Sequence, residues 1–199
     1  MSEQDLLRER ADIGMVFQEN ALFDSLTVAE NVGYRLYEAT TMSNLEVRER
    51  VEEVLGFLGL SECIDRKPTE ISGGQRRRVA VARAMASRPG LLLFDDPTTG
   101  LDPITAISVD DEIVMLRDLE QVTAIVATHQ MRDAFYIATH EAIRTKDGID
   151  VVPAESKATH AEFMVLHEGR FVFEGRAADL LASEDAYLKE FLFKTLPPW

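Results

Sequence analysis

Short apolar runs alternate with longer stretches of helical period along this chain. Ile13–Phe17 (IGMVF), Leu91–Phe94 (LLLF) and Val122–Ala127 (VTAIVA) are short and apolar or β-branched, and predict buried strands. From Ser43 to Gly59 the period lengthens: Val47, Val51, Val54, Leu55 and Leu58 recur at helical spacing. Ser43 and Glu46 form an S-x-x-E capping box at its start, and Gly59 is a natural stop. A second helix is predicted from Ser72 to about Arg88, where Pro89-Gly90 ends it. Asp102-Pro103 opens a third helix, running to about Asp118, and Met131–Ala138 reads as a short fourth. Lys146-Asp147-Gly148 marks a hairpin-type turn. Phe163–Leu166 and Arg170–Glu174 read as strands about Glu168-Gly169, and Ala177–Phe193 as a closing amphipathic helical region.

Asn20–Val32 has neither period. Leu22, Phe23, Leu26 and Val28 interrupt polar residues there, which suggests an apolar docking loop, although core packing explains half of them equally well. Arg76, Arg77 and Arg78 fan out over one helical turn, so solvated or carboxylate-paired positions are expected of them. Ala80, Ala82, Ala84 and Ala86 make a slim helix suited to tight packing.

Composition narrows the classes. With 199 residues and 46% hydrophobic content the chain can bury one real core. A net charge of -14 argues against nucleic acid as the main partner, since phosphate binding needs a basic surface. Cys63 is the one cysteine and cannot form an internal disulfide, which fits a cytosolic setting. No apolar run approaches the ~20 residues that cross a bilayer, so a membrane role must come through a partner.

The chemistry concentrates in Ile71–Pro103, ISGGQRRRVAVARAMASRPGLLLFDDPTTGLDP. Ser72 and Gln75 satisfy a capping pattern, but Gly73 and Gly74 each cost a helix roughly 1 kcal/mol relative to alanine. They suggest a backbone that something approaches closely, and a helix N-terminus with bare amides is an anion site. At the end of LLLF, Asp95 and Asp96 place carboxylates at a strand's carboxyl edge, where ligands bind in open α/β sheets and where an oxygen ligand suits Mg²⁺. Gly100-Leu101-Asp102-Pro103 follows at once.

In this order and spacing the motifs resemble the ATP-binding-cassette (ABC) ATPase family. The resemblance implies an α/β P-loop NTPase (RecA-like) core, 1–24 and 89–199, carrying a helical signature subdomain, 25–88. It implies that Gln18, just past the first strand, reaches metal and attacking water, and that the residues after it face a permease. Ser72, Gly73, Gly74 and Gln75 would contact the γ-phosphate of ATP held by the opposite subunit. Asp95 would be the Walker B metal ligand, Asp102 the D-loop aspartate of the dimer interface, and His129 the γ-phosphate switch. Asp96 departs from the family, which usually has glutamate there to polarise the water; a water-bridged or slower reaction is expected. ATP and Mg²⁺ are the implied cofactors. A second ATPase subunit, as in a homodimer, and an integral-membrane permease are the implied partners, at the cytoplasmic face of the inner membrane. ALFDSLTVAENV resembles the Mce/Mla-type branch, which implies lipid traffic and an Mce-type lipid-binding partner. Thr139–Ala161, with its polar PAESKATH, is longer than the family's usual connection and is expected to be a surface insertion.

None of Lys67, Lys146, Lys157, Lys189 and Lys194 follows a glycine, so no Gly-Lys-Ser/Thr P-loop occurs in these 199 residues. The family's first strands, P-loop and adenine-stacking aromatic residue are therefore expected to lie outside them, with weak or no ATP binding by the chain alone. An incomplete copy of a transporter ATPase accounts for this best. The alternatives are a non-hydrolysing partner that lends only its signature helix, and a cytosolic ABC protein of translation or DNA repair. The last has no basic surface, coiled-coil insertion or second cassette in its support.

Overall fold

The computed structural model describes residues 2, 5, 6, 10, 12–146 and 148–196. Two compact units divide them: residues 1–100 with 121–127, and residues 101–120 with 128–199.

The first unit holds a parallel three-stranded sheet of order β1 (Ile13–Val16), β2 (Leu91–Asp95), β3 (Thr123–Ala127). Its helices are α1 (Val28–Ala39), α2 (Asn44–Phe57) and α3 (Gly73–Met85). α3 packs on β1 and against both other helices. The approach to β1 is closest at Gly14: a Cβ there would lie 2.6 Å from the Ala84 carbonyl oxygen and 2.6 Å from Leu92 Cδ2. Only a residue without a side chain lets backbone meet backbone at that point. Val28, Val32, Val47, Val51, Leu55, Val79, Ala80 and Ala82 fill the helical core. On the sheet face away from Gly14, the cross-strand row Met15, Leu93, Ile125 is partly exposed.

α1 replaces the expected docking loop over its second half. Thr27 caps it, accepting from the Glu30 N–H while Glu30 accepts from the Thr27 N–H, and Val28, Val32 and Leu36 turn inward. The expected capping boxes at Ser43 and Ser72 are both formed. Gly59 stops α2 at φ +66°. Two of the three arginines of α3 reach backbone carbonyls, and the third is buried rather than solvated. Arg76 donates to the Ile71 and Pro68 carbonyls, Arg78 to the Leu58 carbonyl, and Arg77 is 5% exposed.

The second unit contains α4 (Pro103–Leu119), α5 (Met131–Thr139), the antiparallel pairs β4 (His140–Arg144) with β5 (Ile149–Pro153) and β6 (Phe163–His167) with β7 (Arg170–Gly175), then α6 (Ala177–Leu181) and α7 (Ala186–Thr195). The closing region is thus two helices, the second started by the Asp185 side chain accepting from the Leu188 N–H. The expected insertion is a hairpin and a short 3₁₀ turn fastened to α4. Asp118 accepts from the Ala142 N–H and from Lys157 Nζ, while Arg117 donates to the carbonyls of Ile137 and His140. Of the expected turn, Thr145 N–H donates to the Gly148 carbonyl, and Asp147 lies outside the described residues. Met131, Val165, Leu180 and Leu188 form a small core with Phe135, Phe163 and Phe173 around it.

Candidate nucleotide-binding site

Parallel pairing brings the carboxyl ends of β1 and β2 to one edge. Val16 pairs with Phe94, so Gln18, two residues beyond β1, and Asp95, the last residue of β2, lie at that same edge of the sheet. Both are exposed. Among the described residues, no hydrogen bond or ion pair engages the Asp95 carboxylate. Mg²⁺ takes one or two protein oxygens and fills its octahedron with phosphate and water, so an exposed carboxylate at this edge fits it. Among the described residues no three His, Cys, Asp or Glu side chains are grouped to hold a metal by themselves.

Asp96 sits at φ 47°, in the left-handed region, with its N–H donating to the Ala127 carbonyl at 2.8 Å and its carbonyl accepting from Thr99 N–H at 3.3 Å. Aspartate tolerates this backbone better than most residues. The turn therefore favours the shorter acid at this position.

The segment after Gln18 is held by two residues that the sequence reading did not single out. Asn20 and Ala21 are both left-handed, at φ 63° and 48°. Arg83 of α3 donates to both of their carbonyls, at 3.0 and 2.7 Å. Asn31 of α1 is fully buried; its Oδ1 accepts from Phe23 N–H at 2.8 Å and its amide donates to the carbonyls of Phe23, Leu26 and Thr27. The T-x-x-E box at Thr27 would have revealed the helix that carries Asn31.

Ser72 and Gly73 are exposed. Ser72 accepts from the Gln75 N–H and Gln75 Oε1 accepts from the Ser72 N–H; the Gln75 amide also reaches Cys63 Sγ at 3.2 Å. A Cβ on Gly74 would meet nothing within 4 Å, and one on Gly73 only an Arg76 side chain at 3.8 Å. The fold of this chain thus does not require either glycine. Twelve residues separate Ser72 from Ala84, where α3 meets β1, so the tip stands about 18 Å along the helix from that contact.

In the second unit Asp102 caps α4, accepting from the N–H groups of Ile104 and Thr105 and from the Thr105 hydroxyl at 2.6 Å. The Thr105 hydroxyl and the capped amides hold its carboxyl below the usual range. His129 is exposed, two residues past the end of β3 and directly before Gln130, the N-cap of α5.

The sequence model of the ABC transporter family matches residues 1–99. A methionine import ATP-binding protein of Myxococcus xanthus is 40% identical over 97% of this chain and 52% of its own length. The chloroplastic protein trigalactosyldiacylglycerol 3 of Arabidopsis thaliana is 34% identical over 90% and 50%. A bacterial ABC transporter cassette solved as a dimer superposes with a TM-score of 0.64 at 30% identity, covering 88% of this chain and 68% of that one. The fold is therefore that of the P-loop ATPase cassettes. The chain belongs to the ATP-binding family of ABC transporters, whose general activity is ATP hydrolysis. It spans about half the length of the curated relatives it matches.

Proposed function

We propose that the chain is the ATP-binding subunit of an ABC transporter, paired with a second ATPase subunit beneath a membrane permease at the cytoplasmic face. The exposed start of α3 carries this reading: the Gly73 and Gly74 amides stand at a helix N-terminus where neither position is crowded. Such a tip suits a phosphate held by the opposite subunit. Asp95 and Gln18 would hold Mg²⁺, which when bound neutralises phosphate charge. Asp96 would orient the attacking water, His129 would sense the γ-phosphate, and Asp102 would face the partner while capping its own helix. Catalysis on this scheme is mostly electrostatic positioning.

Two cargo readings stand beside each other. Methionine import is supported by the name of the 40% identical relative. Lipid traffic, with an Mce-type lipid-binding partner, is supported by the wording of Ala21–Val32 and by a relative named for a galactolipid. Co-expression with the permease, followed by turnover assays with L-methionine or phospholipid vesicles, separates them. The chain is expected to co-purify with the permease, and ATP turnover to rise with one cargo. Failure to associate with any permease would remove the transporter reading.

In that assembly Asp96→Asn is expected to lower turnover about 10²-fold at unchanged stability, because the amide keeps the left-handed turn but cannot accept a proton. Asp96→Glu should retain activity. Equal rates for the wild type and the Asn variant would remove Asp96 from catalysis.

A further inference from the structure

Gln18 stands inside a turn. The Asn20 N–H donates back to the Phe17 carbonyl at 3.0 Å, and the Ala21 N–H to the Glu19 carbonyl at 2.8 Å. Closing this turn takes two left-handed residues in succession, Asn20 and Ala21. Asparagine tolerates that backbone, but alanine, whose Cβ crowds the following carbonyl, does not adopt it unaided. Asn20 Oδ1 is buried and accepts no hydrogen bond among the described residues, so it gives the turn no support of its own.

The support comes from α3. Arg83 Nη1 donates to the Ala21 carbonyl at 2.7 Å and Nη2 to the Asn20 carbonyl at 3.0 Å. One planar fork therefore fixes both carbonyls, in spacing and in direction. Burial pushes the ionisation of this guanidinium below its ordinary range, and no carboxylate acts on it among the described residues. Its charge goes to two neutral carbonyls, and their placement is what it secures. The base of the fork is fixed too. The next residue is Ala84, whose carbonyl oxygen lies 2.6 Å from where a Cβ on Gly14 would be, so α3 is seated on the strand that leads into the turn. Strand, turn, guanidinium and helix close a ring.

We propose that Arg83 is a positioning residue for Gln18: its fork locks the left-handed pair that closes the Gln18 turn, and so keeps Gln18 at the sheet edge where Asp95 lies. The bearing of the lock on Mg²⁺ rests on the functional reading above; the lock itself does not.

Hydrogen exchange on the full chain without nucleotide tests the lock. In the wild type, which needs no variant to fold, the Asn20 amide is expected to be protected although its turn lies at the surface. Arg83→Met keeps the packing of the stem and loses the fork, so exchange at Asn20 and Ala21 should rise about tenfold or more, with the rest of α3 unchanged. Arg83→Lys offers one ammonium to two carbonyls and should fall between. Unprotected Asn20 in the wild type, or equal rates in wild type and Arg83→Met, would overturn the proposal. In the assembled transporter Arg83→Met should raise the half-saturating Mg²⁺ concentration about tenfold, and should add nothing in a Gln18→Ala background. A merely structural role would add its effect to that of Gln18→Ala. A shift in Gln18→Ala with none in Arg83→Met would also overturn the proposal. No shift in either, with the exchange difference intact, would remove the metal role of Gln18 and leave the lock standing.

Discussion

Asn31→Ala is expected to cost about 3 kcal/mol and to free residues 23–27 from the first unit. The side chain is fully buried and makes four hydrogen bonds to the segment that follows Gln18. The losses are unequal. The Thr27 carbonyl still accepts from the Asn31 backbone and the Phe23 carbonyl from the Leu26 N–H. The Phe23 N–H and the Leu26 carbonyl lose the partner that Asn31 supplied. Two stranded groups at about 1–3 kcal/mol each, partly recovered by water at a half-exposed loop, give that total. Urea unfolding reads the global loss, and hydrogen exchange at residues 23–31 reads the local release. A loss under about 1 kcal/mol would show that solvent replaces the clamp.

Gly74→Asp is expected to do the reverse: to leave the fold intact and abolish turnover in the assembled transporter. A Cβ at this position meets nothing within 4 Å. A carboxylate in the first turn also complements the positive end of the helix, by about 0.3–1 kcal/mol. Opposite a bound phosphate the same charge repels. At 4 Å and an effective dielectric near 20, a pair of unit charges interacts by about 4 kcal/mol, on the order of a 10³-fold loss. Thermal unfolding should show the variant at least as stable as the wild type, while ATP turnover falls by two orders of magnitude or more. An unimpaired Gly74→Asp assembly would mean that the tip touches no nucleotide.

The contrast between these two residues shows what was legible beforehand. The signature tip, the acidic strand end and the capping boxes are local patterns, and local patterns survive in a linear reading. Ser43, Ser72 and Asp102 cap helices as their neighbours indicate. Asn31 and Arg83 carry no such mark, because their partners are carbonyls and amides of residues with no distinctive side chain. α1 keeps a helical period in Val28, Val32 and Leu36, but apolar Leu22, Phe23 and Leu26 just before it blur where that period starts. β4 is half-exposed and carries His140, Glu141 and Arg144, so its alternation is masked by charge.

The reciprocal caps of the first unit divide by chemistry. α1 and α2 are fastened by Glu30 and Glu46, whose carboxyls the Thr27 and Ser43 backbone amides hold below the usual range. That fastening is present above the carboxylate range and disappears as acid protonates the two glutamates. α3 is fastened by Gln75, whose amide has no proton to gain in that range. In mild acid the helix bearing the glycine tip keeps its first turn while its two neighbours begin to unwind from theirs.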